Sequence, residues 1–170
     1  AGTAARLRRN DENAQIILFE KGEYISFANC GLPYYIGGAI TEREALQLQT
    51  PEAFHARFNV DVRVQSEVLS VNSAEKTVTV KNHATGETYT ESYDALVLSP
   101  GASPIRPPFD GIEKNHVFTL RNIPDTYAIY DHIAAACPRT AAVIGAGFIG
   151  LEMAENLADR GIAVSVIEGA

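Results

Sequence analysis

Cysteine and tryptophan are scarce in this sequence, and the scarcity of cysteine limits both the setting and the chemistry. The 170 residues include two cysteines, Cys30 and Cys137, and no tryptophan. Two cysteines so far apart do not form a disulfide framework, so a reducing, cytoplasmic setting is expected. No run of residues approaches the roughly 18–20 uninterrupted apolar positions of a membrane span, so no membrane partner is expected.

Basic residues are also few relative to acidic ones. The chain has 14 Lys and Arg against 21 Asp and Glu, a net charge of −7 at pH 7. Such a balance argues against nucleic acid as the main partner. The hydrophobic fraction of 46% and the charged fraction of 21% are those of an ordinary globular chain. There is room for one or two domains with their own cores.

Helix and strand signals alternate in the first part of the chain. Residues 1–9 favour a helix, and 14–20 form the apolar run typical of a strand buried in a parallel sheet. Thr50 and Pro51 form a helix start, because Thr can cap and Pro fits the first helical position. Residues 94–98 predict another buried apolar strand.

Between these segments the texture changes to short β-rich stretches. An antiparallel meander inserted in an α/β framework is predicted, with a turn at residues 82–86. Its strands are expected at 60–65, 68–72, 77–81 and 88–93.

Beyond a stiff stretch rich in proline and glycine at 101–111, helix and strand signals alternate again. The predicted order is a helix at 124–136, a strand at 140–144, a helix at 147–160 and a strand at 162–168.

Cys30 is the first candidate for chemistry. It stands alone between small and polar residues, where a helical turn is expected to begin. A helix N-terminus favours the thiolate, which is the nucleophilic form of cysteine. The alternative is a buried structural thiol, since free cysteines are often buried. Tyr34 and Tyr35, which follow it, either line a pocket over the cysteine or pack a short helix.

A glycine-rich turn lies between the strand at 140–144 and the next helix. Gly145 permits a tight turn, Gly147 lets the backbone approach a pyrophosphate, and Gly150 lets helix and strand pack closely. The helix N-terminus supplies amide hydrogens to phosphates. Glu168 ends the following strand, at the position of an acid that binds the adenosine ribose, so NADH is favoured over NADPH. The alternative is a glycine turn in another α/β protein, such as a methyltransferase.

Glu20 resembles a second copy of this device. It also ends an apolar strand that follows a helix. If Glu20 binds a ribose, the matching glycine loop should precede Ala1. We therefore expect the chain to be a piece of a longer polypeptide. The fold class expected is α/β, with two Rossmann-like nucleotide-binding units of which the first carries the meander, both incomplete.

Several motifs together resemble the flavin-dependent pyridine nucleotide–disulfide oxidoreductases, over essentially the whole chain. The resemblance is to the coenzyme A–disulfide reductase branch, which includes NADH oxidases and NADH-dependent persulfide reductases. The matching motifs are residues 26–38 (SFANCGLPYYIGG), 98–102 (LSPGA), 119–122 (TLRN) and 145–157 (GAGFIGLEMAENL).

The resemblance implies a role for each matching residue, with Cys30 as the redox-active nucleophile beside the flavin. For FAD it implies Glu20 on the adenosine ribose, with Lys21, Val68, Ser99, Pro100, Gly101 and Arg121. For NADH it implies Gly145, Gly147, Phe148, Ile149, Gly150, Glu152 and Glu168. For coenzyme A it implies Arg6, Arg9, Ser26 and Asn29.

One departure from glutathione reductase and its relatives bears on the chemistry. Those enzymes carry a second cysteine five residues after the first, where this chain has Tyr35. Cys30 must therefore cycle with an external partner, as a mixed disulfide, a persulfide or a sulfenic acid.

The resemblance also implies the domain order. A partial FAD-binding domain is expected at 1–105, a linker at 106–122, and the first part of an NAD(P)H-binding domain at 123–170. A homodimer is expected through a C-terminal domain.

Three functions follow as hypotheses. The first is an FAD-dependent NAD(P)H:disulfide oxidoreductase acting on coenzyme A disulfide, a persulfide or a polysulfide. The second is a water-forming NADH oxidase that cycles Cys30 through sulfenic acid, with oxygen as acceptor. The third, from another class, is a non-enzymatic nucleotide-binding redox sensor.

Overall fold

The computed structural model describes residues 1–169 and has an α/β fold. Its α-helices are α1 (Gly2–Asn10), α2 (Leu32–Gly37), α3 (Pro51–Phe58), α4 (Ile123–Ala136) and α5 (Phe148–Asp159). Its strands are β1 (Ile17–Phe19), β2 (Ser26–Phe27), β3 (Gln47–Gln49), β4 (Asp61–Arg63), β5 (Ser66–Asn72), β6 (Thr77–Asn82), β7 (Thr88–Ser92), β8 (Thr140–Ile144) and β9 (Ala163–Ile167). Short 3-10 turns lie at Asn29–Gly31 and Arg43–Leu46.

The chain divides into two compact units, each made of two segments of sequence. Unit 1 comprises residues 1–27 and 48–100, and unit 2 comprises 28–47 and 101–170. In the described residues 1–169, none of the helices combines the length and the apolar character needed to cross a bilayer.

Unit 1 is built around a parallel pair of strands. β1 pairs with β4 in the register Ile17 with Asp61 to Phe19 with Arg63. The stretch 60–65, expected in the meander, therefore belongs instead to a parallel sheet. Short β-rich alternation is common to both kinds of strand, so only the distant partner decides between them.

The core of unit 1 fills the space between α1, α3 and these strands. Its buried members are Ala5, Ile16, Phe54 and Val60. Phe54 and Phe58, one helical turn apart on α3, pack with ring centroids 4.8 Å apart.

The predicted meander forms from three strands, β5, β6 and β7, paired antiparallel. Val78 and Val80 on β6 are buried. The predicted turn is present as well: Asn82 accepts hydrogen bonds on its side-chain oxygen from the amides of Ala84 and Thr85, and Gly86 has a φ of +77°. Asn and Gly fit such a turn because Asn bonds its own backbone and Gly adopts positive φ.

The predicted strand at 94–98 is wrong for the described chain. These residues adopt no regular structure, and Val97 and Leu98 are 61% and 71% exposed. A strand requires a hydrogen-bonded neighbour, and no strand among residues 1–169 pairs with this segment. The segment is apolar as a strand would be, but its composition does not provide a second strand to pair with.

Unit 2 contains a parallel pair of strands joined by the crossover helix α5. β8 pairs with β9 from Thr140 with Ala163 to Ile144 with Ile167. Gly161 ends the helical segment with a φ of +79°, as its place in the sequence predicts. The core contains Ile36 of α2, Ile129 and Ile133 of α4, Met153 and Leu157 of α5, and Ile162, which lies between α5 and β9.

Loss of the cap on α3 should measurably weaken the fold. Thr50 accepts a hydrogen bond on Oγ1 from the amide of Ala53 at 3.1 Å, and Pro51 follows as the first helical residue. We expect Thr50→Ala to lower the free energy of unfolding by about 1 kcal/mol. Thr50→Ser keeps the hydroxyl and should unfold at nearly the wild-type urea concentration. Equal loss in both variants would show that the hydroxyl cap is not the stabilising contact.

Candidate active site

Cys30 lies at the centre of the 3-10 turn Asn29–Gly31, two residues before α2 begins. The turn is closed by a hydrogen bond from the amide of Gly31 to the carbonyl of Ala28, at 2.8 Å. A side chain at position 31 would press against Ala28 Cβ and Ile40 Cδ1 at 3.2 Å, so glycine allows the tight fit. The turn leaves Cys30 exposed in this chain, unlike a buried structural thiol.

A cavity of about 320 Å³ opens beside Cys30, entirely within unit 2. We call it the cysteine cavity. It brings together residues near Cys30, residues before α4 and the first turn of α5. Its lining is Asn29, Cys30, Leu32, Pro33, Leu120, Arg121, Phe148, Ile149 and Glu152.

This arrangement joins several residues predicted separately from sequence. Asn29 and Cys30 share the cavity with Arg121, although 92 positions separate Asn29 from Arg121. Phe148 and Ile149 are large apolar side chains, yet they are 92% and 56% exposed. Exposed apolar side chains around a thiol and a cation form a surface on which a flat, partly apolar molecule can lie.

Arg121 is held in place by its neighbours. Its Nη1 donates to Asn29 Oδ1 at 3.2 Å, and its Nε donates to the carbonyl of Ala102 at 3.1 Å. Its backbone amide donates to Asp125 Oδ2 at 2.9 Å. The guanidinium therefore has a fixed position on the cavity wall.

Asp125 and Asn122 are positioning residues that sequence reasoning missed. Asn122 caps α4, because its Oδ1 accepts from the amide of Asp125 at 2.9 Å. Asp125 in turn accepts a hydrogen bond from the backbone amide of Arg121, the residue before the cap. The signal was present in the sequence as an Asn followed three residues later by an acid, a capping pattern.

The glycine turn satisfies three separate requirements. Gly145 has a φ of +99°, which a side chain would strain. A Cβ at Gly150 would collide with the carbonyl oxygen of Gly145 and lie 3.4 Å from Val143 Cγ1. Gly147 differs, since its φ is −71° and a Cβ there meets nothing within 4 Å.

Gly147 therefore leaves open space where α5 begins, and this space can accommodate a pyrophosphate. It is the N-cap of the helix, and no side-chain oxygen caps the first amides of α5. Uncapped amides at a helix N-terminus, beside a glycine with free space over it, suit a phosphate group.

Glu168 lies against this turn at the end of β9. Its Oε2 accepts from the amide of Ala146 at 2.7 Å, and its Oε1 accepts from the amide of Gly169 at 2.8 Å. The carboxylate is thus held at the glycine turn by two backbone donors. A negative charge at this position repels a second anionic group brought to the same place.

In unit 1, Glu20 and Lys21 follow β1 and form a second group. Glu20 Oε1 accepts from the amide of Gly22 at 2.7 Å, so its carboxylate is bonded close to its own backbone. Lys21 donates from Nζ to Glu67 Oε1 at 2.8 Å. His83 contacts the other oxygen of Glu67 at 2.8 Å.

Glu67 was not predicted as a site residue, and it links this group to the meander. The hydrogen bond from Lys21, followed by that from His83, lowers the pKa of Glu67. Glu67 directly precedes Val68, one of the residues that the resemblance implies at FAD. No local pattern marks Glu67, because its partners lie 46 and 16 residues away.

The remaining residues implied at FAD are exposed or lie at turns. Val68 is 37% exposed on β5, and Ser99 and Pro100 are exposed in unit 1. Gly101, in unit 2, has a φ of +74° and lies beside Arg121 Nη2. These residues are accessible to a ligand.

The residues implied at coenzyme A divide between the two units. Arg6 lines a shallow, open cavity of about 480 Å³ along α1, and Arg9 is exposed on the same helix. Ser26 is half-buried in β2 of unit 1, whereas Asn29 is in the cysteine cavity of unit 2. Arg8 has a structural role, since its Nε donates to the carbonyl of Phe58 at 2.9 Å.

The structure decides the alternatives for the tyrosines after Cys30. Tyr35 is 3% exposed and packs against Tyr127 and Tyr130 of α4, with centroids 5.7 and 4.9 Å apart. Neither Tyr34 nor Tyr35 lines the cysteine cavity. Packing of the short helix is therefore the role of Tyr35.

Among residues 1–169 no cluster of His, Cys, Asp and Glu has the geometry of a metal site. Cys137 follows α4 as its C-cap residue, with a φ of +46°.

Comparison with known proteins identifies the family. The sequence matches the pyridine nucleotide-disulphide oxidoreductase family along residues 1–170. It is 43% identical over 167 residues to a coenzyme A disulfide reductase of Staphylococcus haemolyticus, covering 98% of this chain and 37% of that protein. The chain belongs to the pyridine nucleotide-disulphide oxidoreductase family.

Solved structures agree with this assignment. Reduced CoADR-RHD of Bacillus anthracis is 60% identical with a TM-score of 0.95, covering 98% of this chain and 30% of that one. A NAD-dependent persulfide reductase from A. fulgidus is 37% identical with a TM-score of 0.90, covering 96% and 30%. The chain thus spans about a third of the length of these relatives.

The glycine turn gives a matched pair of stability tests. Gly150→Ala places a methyl group against the Gly145 carbonyl, so we expect a loss of about 1–3 kcal/mol in the free energy of unfolding. Gly147→Ser adds a side chain in open space at a position where Ser caps well, and should unfold at or above the wild-type temperature. Thermal unfolding followed by circular dichroism measures both. A stable Gly150→Ala variant would contradict the close approach of α5 to the turn.

Proposed function

We propose that this chain forms part of an FAD-dependent NADH:disulfide oxidoreductase in which Cys30 is the nucleophile. The observation that carries the proposal is the cysteine cavity, where an exposed thiol faces the first turn of α5. A pyridine nucleotide with its pyrophosphate at Gly147 would bring its remaining length toward this cavity. The nicotinamide would then lie near this cavity, and FAD would carry its electrons on to the Cys30 sulfur.

The residues present suit the two nucleotides. Gly147 offers space and uncapped amides for a pyrophosphate, and Glu168 offers a fixed acceptor for ribose hydroxyls. Glu20 repeats that acceptor at the end of β1 in the other unit, where we place the FAD adenosine. When bound, FAD supplies the transfer of two electrons from NADH to sulfur.

Cys30 performs the sulfur chemistry in two steps. Its thiolate attacks one sulfur of the external disulfide, the S–S bond breaks, and the other half leaves as a thiolate that takes a proton. Cys30 would then hold the mixed disulfide until bound FAD supplied two electrons. With one proton, these would release the second thiol and restore the Cys30 thiolate. In sum, NADH, one proton and one disulfide give NAD⁺ and two thiols.

The position of Tyr35 supports an external partner for Cys30. This position carries a tyrosine packed against α4 and therefore offers no thiol to resolve a disulfide with Cys30. We propose coenzyme A disulfide, or a persulfide or polysulfide, as the substrate. Asn29, in the cysteine cavity beside Cys30, would contact the part of this substrate near the sulfur. In the other unit, Arg6 and Arg9 are exposed cations of the kind that bind phosphates.

Replacement of Cys30 separates the two half-reactions. In the encoded polypeptide that contains residues 1–170, Cys30→Ser should abolish disulfide turnover and leave flavin reduction by NADH intact, because only the sulfur step uses the thiolate. Stopped-flow absorbance follows the flavin, and a thiol reagent follows the product. Cys137→Ser, which changes the other exposed thiol, is the matched control and should retain wild-type turnover.

The acceptor is decided by comparing coenzyme A disulfide, polysulfide and oxygen in the same experiment. Thiol release with coenzyme A disulfide supports the proposal, and oxygen consumption without thiol release would establish the water-forming oxidase instead. If NADH drives turnover of none of these three acceptors, the redox sensor remains as the function. Disulfide turnover by Cys30→Ser would refute the role of the thiol.

Glu168 should determine the choice of pyridine nucleotide. We expect NADH to have a kcat/KM about tenfold or more above that of NADPH, because the carboxylate repels a 2′-phosphate. Glu168→Gln keeps an oxygen that can accept from Ala146 but removes the charge, and should bring the two values closer together. Glu155→Gln, exposed on α5, is the charge control. A preference unaffected by Glu168→Gln would exclude this carboxylate as its source.

A further inference from the structure

Helix α2, which begins two residues after Cys30, packs closely on the helix of the glycine turn, α5. A Cβ built on Gly37 would collide with the side-chain oxygen of Asn156 and would lie 2.8 Å from its Cγ. The backbone of α2 thus approaches α5 to a distance that only glycine permits. Both helices belong to unit 2.

Asn156 is an unusual residue for this place in a helix. It is 3% exposed, whereas most of the buried residues are apolar. Asparagine is also a weaker helix former than alanine or leucine. Its Nδ2 donates to the carbonyl of Glu152 at 2.8 Å, which fixes the side chain on α5. The hydrogen bond holds the amide group in one orientation, against Gly37.

Other contacts hold the same two helices together. Arg160 donates from Nη1 to the carbonyl of Ile36 at 2.8 Å. Ile36 is fully buried and packs with Met153 and Leu157 of α5. The end of α2 therefore has one preferred position on α5, and the wedge between Gly37 and Asn156 sets its closest approach.

The cysteine cavity lies at the N-terminal ends of α2 and α5, whereas Gly37 and Asn156 lie toward their C-terminal ends. Leu32 and Pro33 begin α2 beside Cys30, and Phe148, Ile149 and Glu152 form the first turns of α5. A rigid contact between the helices therefore fixes the width of the cavity. We propose that Asn156 is a positioning residue that sets the distance between Cys30 and the N-terminal turn of α5 by its wedge against Gly37. The inference deepens the function proposed above and uses the same site.

The test is a double-mutant cycle in the full polypeptide that contains residues 1–170. Gly37→Ala adds a methyl group that must push α2 away from α5, whereas Asn156→Ala vacates the space that this methyl group needs. We expect each single variant to lower kcat by about tenfold to a hundredfold with little change in KM for NADH, since misplacement of reacting groups costs that much. The double variant should recover most of the lost kcat.

A second readout does not depend on turnover. Alkylation of Cys30 by iodoacetamide is compared with that of Cys137 in the same molecule by peptide mass spectrometry, because both thiols are exposed. The ratio of the two rates should rise about threefold or more in Gly37→Ala, where the added methyl group separates the helices. It should fall in Asn156→Ala, where the helices can approach, and return toward wild type in the double variant. Loss of stability alone would not change the ratio selectively and reversibly. Glu155→Ala, on the exposed face of α5, is the control and should leave both readouts unchanged.

The outcomes are distinct. An unchanged ratio in both single variants, or losses of kcat that simply add in the double variant, would overturn the positioning role. If Gly37→Ala does not fold, Asn156→Ala alone decides, since an unchanged or raised alkylation ratio there contradicts the proposal and a lowered ratio with a lower kcat supports it. Because alkylation needs no turnover, failure of the proposed enzymatic function would appear with Cys30→Ser and leave this result interpretable.

Discussion

The close approach of α5 to the glycine turn is the constraint on which the candidate site depends. Gly150 lies against the carbonyl of Gly145 where no side chain fits. This contact fixes the start of α5 over β8, and the helix then buries Met153 and Leu157 in the core of unit 2. The same placement leaves Phe148 and Ile149 exposed on the cavity. Local sterics at one glycine therefore decide both the packing of the unit and the surface offered to a ligand.

Two acids at strand ends show one physical solution used in both units. Glu20 and Glu168 each accept a hydrogen bond from a nearby backbone amide at 2.7 Å. Such bonds hold a carboxylate in one orientation at the end of a parallel strand, where α/β folds bind their ligands. Glu168 also fixes the glycine turn through the amide of Ala146, so removing its charge while keeping its oxygen isolates electrostatics from structure.

The sequence predicted what depends on short stretches of chain and failed where a distant partner decides. The cap at Thr50, the turn at Asn82 and the glycine turn all follow from residues a few positions apart, and each is present. The stretches 60–65 and 94–98 were misassigned because pairing with a remote strand, or its lack, is invisible in local composition. Candidate site residues were predicted one by one from motifs, but their grouping in the cysteine cavity came only with the fold.

The contact between Arg121 and Asn29 shows how such grouping arises. Arg121 is prepared locally, since the Asn122 and Asp125 cap orients the chain before α4. Its guanidinium then reaches a residue 92 positions earlier, directly before Cys30. The position of the cation beside the thiol therefore depends on a distant helix cap as well as on Asn29. Several neighbours of Cys30 in the cavity come from segments distant in the sequence, so the residues around the cysteine do not by themselves define its environment.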